Sequence, residues 1–333
     1  MTNSTENHTL TALRGIQVGH WTHPHRPTGC TVVLTPHGMV AGVDVRGAAP
    51  GTRETDLLAP GNSVKQVHAL VLAGGSAYGL DAASGVMGWL ETRGHGLQVV
   101  KACVPIVPGA VIFDLGLGDP KLRPDAESGW AACEAASDCT VAGGNVGVGA
   151  GATVDKLMGP DRAMKGGLGH ALVQVGPWQV AALVACNAMG DVFDPLDGRL
   201  LAGARLGAHS LALSNACVSM LSGAAMATPS LGSNTSIGVV ACNAALDKAQ
   251  AQRLAVAGHD GLARAIRPVH TPMDGDTLFA LATGEHGAAP DPMLLCAMAA
   301  DAVAQATVDA VRQAQSVRIG EHWWPALRDL RKL

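Results

Sequence analysis

Charge and aromatic side chains are scarce in this 333-residue chain: Asp, Glu, Lys and Arg together make up 15% of it, and Phe, Trp and Tyr 3%. A typical soluble domain carries about 25% charged residues. With a formal net charge of −4, the composition offers neither a strongly basic nucleic-acid surface nor a polybasic membrane anchor. No stretch approaches ~18 uninterrupted apolar residues, so no membrane span is expected. The opening MTNSTENHTL lacks a positive start and an apolar core, and reads as no secretory signal. The cysteines (Cys30, Cys103, Cys133, Cys139, Cys186, Cys217, Cys242 and Cys296) form no CxxC pair. They are expected to be buried thiols in a reducing compartment, the cytoplasm.

Several signatures of chemistry are missing too. There is no GxxxxGK[ST] phosphate loop and no GxSxG nucleophile elbow. GVGAGA, from Gly147 to Ala152, fits a loose dinucleotide pattern but no amphipathic helix follows it, so a glycine-rich turn in a packed sheet is the better reading. His20, His23 and His25 cluster in GHWTHPH, yet no thiol or carboxylate stands at ligand spacing, and a surface loop is expected rather than a metal site.

What is abundant is small and apolar. There are 42 glycines, and 48% of residues are hydrophobic, mostly Ala, Val and Leu. Such a chain packs backbone close to backbone, has length enough for a large core, and lacks the polarity of a disordered one. Strands are expected at Thr31–Thr35, Met39–Val45, Ala69–Ala73, Ala171–Val175, Gln179–Cys186 and Ser236–Cys242, each rich in branched residues and bounded by Gly, Pro or Asn. Helices are expected from Ser76, over about Asp247–Ile266 with a capping box at Asp247 and Gln250, and over about Asp291–Gln315. Gly159–Gly169 and Ser222–Asn234 read as linkers. Strands and helices mix without strict βαβ alternation, which favours a layered α+β architecture.

The informative stretch is Ser230–Gln250, where a small polar segment runs into Asn234-Thr235 and then a buried strand. If the Thr235 hydroxyl attacks the Asn234 carbonyl, the peptide becomes an ester that water can split. Thr235 then carries an α-amine with a pKa of ~7.7–8.0, able to serve as general base for its own hydroxyl. Taken alone, Asn-Thr is also an ordinary loop leading into a strand.

Asn234–Val240 and Leu246–Gly284 resemble the DmpA-type family of self-cleaving peptidases, which includes β-aminopeptidases, D-aminopeptidase/esterases and nylon-oligomer hydrolases. Gly42–Leu58, Leu72–Val86, Gly151–Lys156, Gly166–Gly176 and Ala182–Val192 agree with it, and the likeness spans roughly residues 14 to 315. It implies a four-layer αββα sandwich: one domain, residues 1–333, cut into a large subunit 1–234 and a small subunit 235–333. It also implies a homo-oligomer of processed αβ units and amide hydrolysis through an acyl-enzyme, with no metal or organic cofactor. The substrates implied are short peptides or unusual amides, built on β-, D- or 6-aminohexanoate-type residues.

The resemblance assigns Thr235 as nucleophile and Asp274 and Asp276 as its acidic partners. In DGD the two carboxylates point to one side if the backbone is extended, although Asp-Gly is equally a turn signal. Lys156 matches a lysine that the nylon-oligomer branch places near the nucleophile; a lone lysine is otherwise a solvated charge. Asn187, ending an apolar strand, matches an oxyanion donor, or else is a strand-end cap. Tyr78, the only tyrosine, lines the substrate pocket or packs at a helix start. Phe113, beside Asp114, stands where relatives carry a substrate-binding tyrosine whose hydrogen bond Phe cannot make. The aminopeptidase branch has Gly-Ser and Ser-x-Glu where this chain has Asn-Thr and Asp-x-Asp, so the need for a free substrate amine does not carry over. An acyltransferase of the ornithine-acetyltransferase kind and a non-catalytic glycine-rich scaffold are the rival readings.

Overall fold

The computed structural model describes residues 7–224 and 234–330. Nine strands build its main sheet: β1 (Gln17–Thr22), β2 (Gly29–Val45), β3 (Thr52–Arg53), β4 (Gln66–Ala73), β5 (Gly109–Val111), β6 (Gly167–Val175), β7 (Trp178–Asn187), β8 (Thr235–Ala244) and β9 (Thr277–His286). The hydrogen-bonded order is β6, β7, β8, β9, β2, β4, β5, β3, with β1 also on β2. Among the described residues the α-helices are α1 (Ala82–Glu91), α2 (Ala126–Glu134), the short α3 (Ala216–Leu221), α4 (Lys248–Ala265), α5 (Pro292–Gln313) and the single-turn α6 (Leu327–Leu330).

The ladder folds over on itself through β2. Its first half, Gly29–Leu34, pairs with β1 and β4, and its second, Val40–Val45, pairs with β9. A register break between Leu34 and Met39 separates the halves, as an irregularity must where a strand changes direction. The alternation of side chains then defines three cores. Ala181, Leu183, Ala185, Ile237, Val239 and Ala241 meet Val33, Leu70 and Leu72 between the sheet halves. Their neighbours Val180, Ala182, Val184, Val240 and Cys242 face α4 and α5, while Cys30, Val32, Leu34, Ala69 and Val71 face α1 and α2. Period-two strands buried on both faces therefore give helix, sheet, sheet, helix: the four-layer αββα sandwich.

Small residues set the layer spacing. A Cβ on Gly169 of β6 would lie 2.1 Å from the Ala306 carbonyl of α5, and one on Gly42 of β2 would lie 2.3 Å from the Gln252 nitrogen of α4. Leu254, Ala255, Gly258 and Leu262 form the buried stripe of α4, and the Asp247–Gln250 capping box closes its N-terminus as expected.

Four expectations need correction. Gly159–Gly169 is no linker: Met164 and Lys165 are buried, and Gly167–Gly169 open β6, their glycines being there for close backbone contact with α5 rather than for freedom. Thr31–Thr35 and Met39–Val45 are one strand, because the break at Pro36–Gly38 is absorbed as the bend of β2. The helix expected from Ser76 begins as a 3-10 turn, Ser76–Asp81, before α1. Of the cysteines, Cys30, Cys133, Cys186 and Cys242 are buried, but Cys139 is exposed and the other three half-buried. The expected linker Ser222–Asn234 falls mostly outside the described residues.

Candidate active site

Two strand pairings bring the site together. β8 runs parallel to β9, with Ile237 opposite Thr277, so both strands begin at the same end of the sheet. The Asp274-Gly275-Asp276 segment leading into β9 therefore lies alongside Asn234-Thr235-Ser236, and Asn234 and Asp274 form a parallel bridge. β7 runs antiparallel on the other side of β8, so its last residue, Asn187, stands opposite the first residue of β8, Thr235. Asn187, Asn234, Thr235, Asp274 and Asp276 are all buried.

The Asn234 carbonyl is held from two directions. The Thr235 hydroxyl donates to it, and so does the Gly275 N–H, at 3.2 Å. Asp276 spans the other side of Thr235: Oδ1 accepts the Ser236 N–H at 2.6 Å, and Oδ2 accepts from the His270 Nδ1 at 2.7 Å. Asp274 turns back on its own loop, taking the Thr271 N–H at 2.8 Å. The turn lies before DGD, at Pro272 and Met273, closed by the Asp274 N–H on the Thr271 carbonyl at 3.0 Å, and Asp274 itself pairs with Asn234, so Asp274-Gly275 is not the turn that its sequence signals.

On the opposite side, the Asn187 Oδ1 accepts the Thr153 N–H and the Lys156 ammonium, each at 3.0 Å. With its acceptor taken, the amide presents Nδ2 as the donor end, 3.5 Å from the Phe113 carbonyl. Phe113 joins the site through that carbonyl. Its neighbour Asp114 is buried in a clamp that takes Arg26 and the Gly75 N–H, both at 2.9 Å, and the Thr28 hydroxyl at 2.6 Å. Tyr78 is 58% exposed, its ring covered by the Arg123 guanidinium at 3.6 Å. Among the described residues it shares no hydrogen bond or ring contact with the group around Thr235.

Burial and like charge tune the ionisable groups. Burial, with Asp276 adding repulsion, pushes the Asp274 carboxyl up to about 6. Burial pulls the Lys156 ammonium down to about 7, opposed by the attraction of Asp274. Both then change charge near neutral pH, where acid–base work is most effective. Asp155, next to Lys156, is driven up to about 9 by burial and by its hydrogen bond with Asp191. It therefore keeps its proton at neutral pH.

Sequence reading passes over Gly275, His270 and Asp155. The first contributes only a backbone N–H, which no side-chain pattern announces. The GVGAGA segment is a buried 3-10 turn, Gly147–Gly151, stapled by Lys165, whose ammonium donates to the Gly149, Ala152 and Gly166 carbonyls at 2.8–2.9 Å. His20 turns inward to Thr31 at 2.9 Å, away from His23 and His25, whose rings meet edge to face.

Known proteins match this arrangement over most of its length. An uncharacterised aminopeptidase of Mycobacterium bovis is 46% identical, the match covering 92% of this chain and 94% of that protein. A 6-aminohexanoate-oligomer endohydrolase of Kocuria sp. is 32% identical over 81% of this chain and 74% of its own length. The solved L-aminopeptidase D-Ala-esterase/amidase of Ochrobactrum anthropi, described as a variant of the Ntn hydrolase fold, superposes with a TM-score of 0.72. It is 20% identical, covering 98% of this chain and 94% of that one, so the likeness is one of fold. The profile of Peptidase family S58 matches residues 8–322, and the chain belongs to that family of amide-bond hydrolases.

Proposed function

We propose that the chain cuts itself between Asn234 and Thr235, and that Thr235 then hydrolyses short peptides or unusual amides as an N-terminal nucleophile. The observation that carries this reading is the Asn234 carbonyl, held between the Thr235 hydroxyl and the Gly275 N–H. The hydroxyl lies against the carbonyl it must attack, and the N–H is placed where negative charge develops on the oxygen. In the first step the Thr235 Oγ bonds to the Asn234 carbonyl carbon, the C–N bond breaks, and the hydroxyl proton passes to the departing nitrogen. Water then splits the ester, leaving an Asn234 carboxylate and a free Thr235 amine.

In turnover that amine takes the Oγ proton as Oγ attacks a substrate carbonyl. Asn187 Nδ2, held in place through Oδ1 by Lys156 and Thr153, donates to the oxyanion. Asp276 fixes the backbone beside the nucleophile. Asp274 and Lys156 set the local charge, the lysine balancing the two carboxylates. The proton returns to the leaving amine, and water releases the acyl group from Thr235. The 6-aminohexanoate-oligomer relative and the Asn-Thr and Asp-x-Asp pattern support linear amides without a strict need for an α-amine. We place the processed pair, residues 1–234 and 235–333, in a homo-oligomer in the cytoplasm, where free thiols stay reduced.

Intact-mass measurement tests this directly. The purified 33.8 kDa chain is expected as two co-purifying fragments of about 24 and 10 kDa, scaled from residue number at about 0.1 kDa per residue, the smaller beginning TSIGVV. Thr235→Ala should remain whole and inactive, and Thr235→Ser should still cleave. A wild-type chain that hydrolyses amides while uncut overturns the proposal.

A further inference from the structure

We infer that His270 is a positioning residue for the reaction at Thr235, gripping Asp276 so that this carboxylate is fixed against the backbone of the nucleophile. Three observations carry this. First, one oxygen of Asp276 takes two donors from a single residue: the His270 N–H at 3.2 Å and its ring Nδ1 at 2.7 Å. Second, the grip needs an uncommon backbone. His270 has φ +56, a left-handed conformation that a non-glycine residue adopts at a cost and that persists where the surroundings impose it. Third, the ring is braced from behind. His259 of α4 meets it edge-on at 4.8 Å, and His259 is itself anchored by an Nε2–H bond to the Asp44 carbonyl at 3.0 Å.

The tautomers follow from the partners. A carbonyl only accepts, so His259 is protonated on Nε2, and burial pulls its pKa down to about 4, keeping it neutral. The Asp276 carboxylate likewise calls for a proton on His270 Nδ1. The line from the Asp44 carbonyl through His259 and His270 to Asp276 ends at the Ser236 N–H, one residue from Thr235. Without the ring, Asp276 Oδ2 keeps only the longer backbone bond. The carboxylate is then free to turn, beside a second carboxylate that already repels it.

The inference rests on Thr235 and Asp276 acting as proposed above, and the experiment separates the two. His270→Asn and His270→Asp are isosteric, and both residues tolerate the left-handed conformation. Asn offers Asp276 an amide donor where Asp offers a like charge. His270→Gly keeps the backbone N–H and deletes the ring. Each variant is assayed on a short-chain amino acid p-nitroanilide and on linear 6-aminohexanoate dimer, per processed site counted by intact mass, alongside Thr235→Ala and Asp276→Ala. His270→Gly is expected to lose about 10- to 100-fold in kcat, the scale of one hydrogen bond to a charged group. KM and the thermal midpoint should hold. His270→Asn should recover much of the loss, and His270→Asp should be worse than Gly.

Equal kcat for the Asn and Asp variants overturns the inference, as does wild-type kcat in His270→Gly while Asp276→Ala is inactive. So does a loss in all three that tracks a lowered thermal midpoint, since that marks a purely structural role. If His270→Gly does not fold, the Asn–Asp pair decides alone. Activity in Thr235→Ala instead sinks the reading of the site itself.

Discussion

Asn187 and Thr235 are register partners, the last residue of β7 opposite the first of β8. Directly opposed residues in an antiparallel pair lie about 4.5–5.5 Å apart. An amide donor and a hydroxyl are thereby delivered to one point by backbone pairing rather than by a loop. Asn187→Asp keeps the oxygen that Lys156 and Thr153 bind and removes the N–H. The expected result is a fall in kcat of about 10²–10³-fold, the usual loss for one oxyanion donor. A variant altered only in KM would show that Nδ2 serves substrate binding instead.

The raised pKa of Asp274 acts on both catalysis and stability. Its carboxyl titrates at about 6 in the fold against the ordinary 3.8 of an aspartate, so catalysis that uses the anion should fall as pH drops through about 6. For stability the folded form holds the proton more tightly. The contribution is fully present below 3.8 and is lost as pH rises through about 6. Asp274→Asn should therefore raise the thermal midpoint at pH above about 6 and leave it nearly unchanged below about 4, while removing the acid limb from residual activity. Parallel melting curves for wild type and variant across that range would contradict the assignment.

The layers were legible because their signals are local. Val and Ala runs bounded by Gly mark β7 and β8, and the Asp247–Gln250 box marks the start of α4. Asp274, Asp276, Asn187 and Lys156 do gather around Thr235, but their grouping came from resemblance. Nothing in the spacing of residues 187 and 235 shows that two strand ends meet. Gly159–Gly169 misled for a related reason. Three closely spaced glycines look flexible in a string of letters, whereas in the fold Gly167 and Gly169 admit α5 against β6 and Gly166 lies against the Cys186 carbonyl of β7. His270 was hidden because its role depends on a left-handed backbone.

Gly169 permits a direct test of that packing. An added Cβ would sit 2.1 Å from the Ala306 carbonyl and 2.2 Å from the Ala310 nitrogen, both held within α5, so helix and sheet must separate. Gly169→Ala is expected to destabilise by about 1–3 kcal/mol, as overpacking does. Gly287→Ala, with nothing within 4 Å, should shift stability by no more than ~0.5 kcal/mol. Urea midpoints for the two variants provide the comparison, and equal midpoints would mean that the layers are looser than described.

A substitution at Gly275 would separate the proposed self-cleavage from the side-chain chemistry around it. Its N–H lies 3.2 Å from the Asn234 carbonyl oxygen, the atom that becomes an oxyanion when the Thr235 hydroxyl attacks. A Cβ at this position would lie 2.4 Å from the Ala49 carbonyl oxygen and 2.8 Å from the Pro50 Cα. These are backbone atoms, and Ala49 is itself tied by its N–H to the Asp274 carbonyl at 2.9 Å. Gly275→Ala must therefore move the 274–276 backbone and draw the N–H off its target, while Thr235, Asp274, Asp276 and Asn187 keep their chemical groups. Uncut 33.8 kDa chain should accumulate, with fragments appearing on the order of 10²-fold more slowly, the scale of one lost oxyanion donor. A time course on gels after a pulse of expression reads this rate, and the thermal midpoint shows whether the fold has survived. Cleavage at the wild-type pace in a folded Gly275→Ala variant would mean that the carbonyl is polarised by some other donor. Slow cleavage with normal turnover in the fraction that does mature would assign Gly275 to self-processing alone.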